Sequence, residues 1–276
     1  MPDNAITLEQ AGQIAYLRFQ NPPRHTLTAT MVGAMTKALG RLAVDTRVLV
    51  LRSATPGVFI THYEVGELSA AAERSAASQP PAAHAPSGTA ETADTEQLHE
   101  LHQLIVGLEQ LDLITVAAID GLAMGGGLEL ALGCDFRLLR DGTHVLGLPE
   151  TTVGIIPGAG GTQRLTRLLG SARALDLILH AQLLRPSQAL ELGLVHRVFA
   201  DADFERELGA FVDDLAARAP LALAAAKRAI RQGQDMPLRQ ALALEQREFQ
   251  SVMGTEDARN AMAAYLKGRR PSFQGR

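Results

Sequence analysis

The sequence predicts an α/β core followed by a largely helical region. Two short runs, Val48–Leu51 and Ile114–Ile119, are apolar at nearly every position, as strands buried on both faces are. Segments with a helical period alternate with them. After Pro157 the helical period dominates, and Leu194–Phe199 is the one short strand expected there.

In chain order, Ile6–Glu9 and Gln13–Phe19 alternate apolar and polar residues around Ala11-Gly12, which predicts an opening hairpin. Thr28 is placed to cap a helix reaching about Ala43, with Met31, Met35, Leu39 and Leu42 on one stripe. Ala70 to Ala93 is dominated by Ala, Ser, Pro, Glu and Thr without apolar periodicity, and reads as a mobile loop or insertion. A helix from Ala93 to about Leu111 follows. Its His99-Glu100-Leu101-His102 spacing lacks the HExxH pattern of metalloproteases, so the two histidines are read as solvated or structural. The strand-like runs Phe136–Arg140 and Thr143–Gly147 flank Asp141-Gly142, a strong hairpin signal. Pairing Arg140 with Thr143 would put Asp135 opposite Leu148 and leave Glu129 and Glu150 beyond the open end. Helices are expected near Gly161–Leu169, Ala172–His180, Ser187–Glu191, Phe204–Ala217, Leu221–Arg231, Leu238–Val252 and Thr255–Leu266. Thr255 ahead of Glu256-Asp257 places acids where the helix dipole prefers them. The division is a core over 1–200 and a helical region over 201–276, read as a packing layer or an oligomerisation element.

Composition narrows the partners. Across 276 residues, 46% are apolar and 20% charged, ordinary for a globular protein. A net charge of −4 gives no electrostatic case for nucleic acid or an anionic membrane. The densest basic cluster is Lys267, Arg269 and Arg270 near the end. The N-terminal segment has neither a basic start nor an apolar core, and the apolar stretch from Leu113 to Gly133 is interrupted by Asp120 and Glu129. A cytoplasmic protein that crosses no membrane is expected. The single Cys134 rules out an intrachain disulfide or a multi-cysteine metal site, and its apolar surroundings suggest an inert thiol.

Gly121 to Pro157 is the most informative stretch. Gly158-Ala159-Gly160-Gly161-Thr162 lacks the Gly-Lys-Ser/Thr ending of a P-loop, and Gln163 stands where a third Rossmann glycine would be. No Gly-x-Ser-x-Gly elbow occurs. Gly125-Gly126-Gly127 fits either close backbone packing at a strand-to-helix turn or an oxyanion donor at a helix start. Glu129 sits among Leu128, Leu130, Ala131 and Leu132, so its carboxylate must find a partner or raise its pKa. Glu150 after Pro149 fits either a simple helix start or a site acid.

Taken together, PGVFITHYEVGEL (56–68), AAIDGLAMGGGLELALGCDFRL (117–138) and LPETTVGIIPGAGGTQRL (148–165) resemble the enoyl-CoA hydratase/isomerase, or crotonase, superfamily. The similarity continues through AKRAI (226–230) to EDARNAMAAYLKGRRPSF (256–273). The resemblance implies a crotonase-like α/β fold of repeated ββα units with a C-terminal helical region, assembled as a homotrimer or homohexamer. It implies an acyl-CoA thioester as ligand and neither a metal nor a redox cofactor. By motif, the backbone N–H groups of Tyr63 and Gly126 would hold the thioester oxygen, Glu129 would activate water and Glu150 would protonate the α-carbon. Arg24, Tyr63, Glu64, Val65, Gly66 and Gly126 would contact CoA or substrate. Retention of both acids points to a hydratase, with a Δ3,Δ2-enoyl-CoA isomerase, another CoA lyase and a non-catalytic acyl-CoA-binding subunit as alternatives.

Two departures from the family pattern stand out. His62-Tyr63-Glu64 replaces the usual Gly-Ala/hydrophobic-Asp, which puts a histidine where a positive φ would be strained and a large ring beside the oxyanion donor. Gly66 replaces a lysine often found near the CoA phosphates, leaving Arg24 as the candidate for that role.

Overall fold

A computed structural model describes residues 5–78 and 99–276. Strands β1 (Ile6–Ala11) and β2 (Ile14–Phe19) form the expected hairpin, with Gly12 supplying a φ of 58° at the turn. Thr28 caps helix α1 (Ala29–Leu39) by accepting a hydrogen bond from the Met31 N–H. The helix stops at Gly40, short of the Ala43 expected from the apolar stripe. The chain continues through β3 (Val48–Ser53), β4 (Gly57–Ile60), α2 (Val65–Ser78), α3 (Glu100–Gln110), β5 (Ile114–Ile119), β6 (Gly121–Met124), α4 (Gly126–Gly133), β7 (Phe136–Arg140) and β8 (Leu146–Gly147). Then come α5 (Gly161–Leu169), α6 (Ser171–Leu179), β9 (Leu183–Leu184), α7 (Pro186–Glu191), β10 (Arg197–Phe199), α8 (Phe204–Ala216), α9 (Pro220–Gly233), α10 (Leu238–Met253) and α11 (Glu256–Leu266).

The strands divide between two sheets. One runs β1-β2-β3-β5-β7-β10 and the other β4-β6-β8-β9. Successive strands β3/β4, β5/β6 and β7/β8 each leave the first sheet and enter the second before the following helix. That is the repeated ββα pattern, with parallel pairing throughout except at β1–β2 and β8–β9. The hairpin expected at Asp141-Gly142 is therefore absent. β7 already has parallel partners on both edges, β5 and β10, so no free edge remains to pair with residues 143–147. Leu146–Gly147 instead pairs with Ala123–Met124 in the second sheet.

Both faces of the first sheet are covered, which is why its strands are apolar without alternation. Leu17, Leu49, Leu51, Ala117 and Ile119 join residues of α1, α3, α4 and the second sheet in the main core. Their neighbours Val48, Val50, Val116 and Leu138 face Phe204, Leu208 and Val212 of α8. Full burial of such a side chain contributes about 1.5–3 kcal/mol. Helix α9 is tied to this body by charge: buried Lys227 donates to the Leu113 carbonyl at 2.9 Å and pairs with Asp135 at 2.9 Å. Arg231 on the same helix reaches Asp135 at 2.8 Å and Glu109 at 3.2 Å.

The segment read as an unstructured insertion begins as helix: residues 70–78 continue α2, whose alanines favour that state. The rest of that reading, together with the expected helical start at 93–98, lies outside the described residues. Helix α3 begins at Glu100, with the His99 Nδ1 accepting from the Leu101 N–H. The strand expected over Leu194–Phe199 shortens to Arg197–Phe199 because the chain is still turning after Gly193 (φ 79°). No helix among the described residues is long and apolar enough to cross a membrane.

The junction of the two sheets is tight. A Cβ on Gly121 would lie 2.0 Å from the backbone carbonyl of Gly57, so β4 and β6 meet with no room for a side chain. Gly121→Ala is expected to destabilise the fold by about 2–3 kcal/mol, because backbone rather than a flexible side chain must move. Urea unfolding would show this as a lowered midpoint at unchanged slope, and an unchanged midpoint would contradict it.

Candidate active site

The site is assembled where β6 hands over to α4. Gly125 adopts φ 49° and donates its N–H to the Gly147 carbonyl of β8 at 3.0 Å, fixing the turn against the second sheet. A Cβ there would sit 3.0 Å from Glu150 Oε1. One residue on, Gly126 opens the helix with an N–H that has no intrahelical acceptor. Gly127 lets α4 lie against β4, since a Cβ would come within 2.6 Å of the Ile60 carbonyl oxygen. The close-packing reading of the triple glycine holds at Gly127.

Tyr63 reaches the same place from the other side. Leu27 donates its N–H to the His62 carbonyl at 2.9 Å and accepts from the Glu64 N–H at 2.8 Å, as a parallel bridge does. Alternation along an extended chain then turns the Tyr63 N–H away from Leu27. It lies 3.6 Å from where a Gly126 Cβ would be. Neither the Tyr63 nor the Gly126 N–H has a backbone acceptor among the described residues. The strain expected at His62 is absent: among the described non-glycine residues positive φ occurs at His25 and Ala181, not at His62. The His62 Nδ1 instead contacts the Tyr63 carbonyl at 2.7 Å.

The two acids line one cavity of about 350 Å³ with Tyr63, Val65 and Gly126. Glu129 is 3% exposed, and its Oε1 accepts from the N–H groups of Ala159 at 2.7 Å and Gly161 at 2.8 Å. Those donors come from the turn into α5, where Gly160 adopts φ 96°. The Ala159 carbonyl accepts in turn from Arg164, which is held bidentately by Glu109 at 2.7 and 2.8 Å. Burial raises the Glu129 pKa, and the two N–H donors pull against it. Glu150 opens a 3₁₀ turn that ends at Gly154 (φ 77°). Its Oε2 is buried and has no hydrogen-bond partner among the described residues. Burial, the larger cause, and the nearby Glu129 raise its pKa to about 7. Both carboxyls are raised, and neighbours this close titrate as a pair.

Three of the residues expected to contact ligand lie elsewhere. Arg24 is 76% exposed and pairs with Glu64 at 3.4 Å, outside the cavity. Glu64 accepts from the Thr26 hydroxyl at 2.8 Å, the main reason its pKa is lowered. Gly66 also lies off the cavity wall. Conversely, His99 lines the cavity with its ring edge-on to Tyr63, at 5.9 Å between centroids and 73° between planes. The sequence places His99 within a helix, where it reads as solvated or structural, and its spacing carries no signal for a cavity-lining role. Tyr63 bonds its hydroxyl to Glu67, and burial raises its pKa. Cys134 is buried, with its thiol pushed up to about 12, which fits an inert role. Among the described residues, no group of three or more His, Cys, Asp or Glu is placed to hold a metal ion.

A family model described as enoyl-CoA hydratase/isomerase matches residues 9–276. The chain belongs to the enoyl-CoA hydratase/isomerase family. It is 35% identical to the mouse mitochondrial enoyl-CoA hydratase domain-containing protein 2, over 99% of this chain and 88% of that protein. It is 41% identical to the enoyl-CoA isomerase/hydratase fer4 of Mycosarcoma maydis, in an alignment spanning 65% of each, just under two thirds of that relative's length. The fold superposes on an enoyl-CoA hydratase from Bacillus anthracis with a TM-score of 0.85 at 29% identity, covering 99% of this chain and 100% of the other. In this family member, then, the ββα repeats match a solved relative across their full extent.

Proposed function

We propose that the protein is an enoyl-CoA hydratase, adding water to a 2-enoyl-CoA thioester to give a 3-hydroxyacyl-CoA. The observation that carries the reading is the pair of acids in one cavity with unlike surroundings. Glu129, held by the N–H groups of Ala159 and Gly161, serves as the base; Glu150, whose buried Oε2 has no hydrogen-bond partner among the described residues, holds the proton. The Tyr63 and Gly126 N–H groups take the thioester oxygen as it gains enolate charge. Water adds its oxygen to the β-carbon and gives a proton to Glu129, while Glu150 gives its proton to the α-carbon. The pair again holds one proton, now on the other acid, and it titrates as a unit. No metal or redox cofactor takes part in this scheme. The exposed apolar residues of α10 and α11, including Leu238, Phe249, Tyr265 and Leu266, support assembly as a homotrimer or homohexamer.

The test is loss of the conjugated enoyl-thioester absorbance with short, long and aromatic 2-enoyl-CoAs. Hydration is expected, with kcat/KM falling as pH rises through about 7, because the Glu150 proton is then lost. Migration of a 3-enoyl double bond with no hydration would favour the isomerase reading. Tight thioester binding without turnover would favour a binding subunit, the role for which the His62-Tyr63 departure speaks.

A further inference from the structure

Taking the cavity as the acyl-thioester site of that reading, we propose that it accepts acyl tails without charge and discriminates against tails ending in a carboxylate. Apart from the acids and the oxyanion donors, the wall is built mainly from Leu68, Leu101, Met124, Val153, Ile155 and Ile156. No lysine or arginine lines it among the described residues. The residues outside that set cannot supply one either: segments 1–4 and 79–98 contain no lysine or arginine, but do contain Asp3, Glu91, Asp94 and Glu96. The arginines attached to the site's own segments are engaged. Arg164 is clasped by Glu109 behind the Ala159 carbonyl, and Arg24 pairs with Glu64 on the outer surface.

Two imidazoles line the cavity, each with Nδ1 engaged by backbone, which leaves Nε2 as the nitrogen free to meet a ligand. The His99 Nδ1 accepts from the Leu101 N–H at 3.3 Å, and an accepting nitrogen carries no proton. The His62 Nδ1 lies 2.7 Å from the Tyr63 carbonyl. A tail carboxylate entering this cavity would exchange water for hydrocarbon, beside the acid pair Glu129 and Glu150. An unpaired buried charge is costly, and a second one of like sign raises the cost. An uncharged alkyl or aryl tail meets no such penalty and gains from burial.

Titration calorimetry with saturated thioesters tests this whether or not the protein turns over. Hexanoyl-CoA is expected to bind at least about tenfold tighter than adipoyl-CoA, which has the same chain length and a terminal carboxylate. The methyl ester of adipoyl-CoA, with the charge removed, should recover most of the loss. Equal or tighter binding of adipoyl-CoA would overturn the inference, as would a methyl ester that binds no better than the acid. Failure to bind hexanoyl-CoA at all would overturn it too. The hydratase reading is judged separately, by hydration of 2-hexenoyl-CoA: tight, charge-sensitive binding without hydration would remove that reading and leave the discrimination standing.

Discussion

Glu150→Gln is expected to lower hydration by about 10³-fold, the middle of the range for a positioned general acid. KM for a 2-enoyl-CoA should change little, since the thioester oxygen is held by backbone amides that the substitution does not touch. The same variant carries a stability signature that a merely structural role would not produce. In the native state the Glu150 proton is held up to about pH 7, against an ordinary carboxyl value of 4.5. The stability this contributes is fully present below the unfolded value and is lost as pH rises through the folded one. Parent and variant should therefore differ in a pH-dependent way. The Tm of Glu150→Gln relative to the parent is expected to rise between about pH 5 and about pH 8, because the parent alone must ionise a buried carboxyl beside Glu129. A Tm difference that is flat across that range would mean that Glu150 does not hold a raised pKa. An active variant would mean that it is not the acid.

How much of this was legible in the sequence depends on which contacts set each feature. The α1 cap, the opening hairpin and the helices from Gly161 onward were readable because neighbours in sequence fix them: Thr28 with Met31, Gly12 between β1 and β2, glycine and proline between helices. The Asp141-Gly142 hairpin failed for the opposite reason. Local turn chemistry favoured pairing β7 with the residues after it, but both edges of β7 were taken by strands distant in sequence. The ββα repeat was accordingly reached through resemblance and not through periodicity. At the site, Glu129 stood out because a carboxylate in an apolar helix demands a partner, although nothing local named Ala159 and Gly161 as that partner. Arg24 stood out by charge and position, and it pairs with Glu64 outside the cavity. His99 entered the cavity wall through the packing of α3 against α4, so its place follows from a contact distant in sequence.

Glu129→Gln gives the sharper test of mechanism, because the replacement preserves the structure that holds this residue. Its amide oxygen can accept the same N–H bonds from Ala159 and Gly161 that Oε1 accepts now, at 2.7 and 2.8 Å. What disappears is the basic oxygen facing the cavity. Turnover is expected to fall by about 10³-fold with KM within a few-fold of the parent and with Tm nearly unchanged. Glu129→Ala separates the two roles: it also strands two buried N–H groups, each costing about 1–3 kcal/mol, so Tm should fall along with activity. Because each acid completes what the other begins, the double variant Glu129→Gln/Glu150→Gln should be little worse than either single one. The residual pH profile provides a further check. Removing the Glu129 charge removes one of the two causes that raise the Glu150 pKa, so the alkaline limb of the remaining activity should move to lower pH. Full hydration by Glu129→Gln would overturn the two-acid mechanism, since water would then be added without Glu129 as its base.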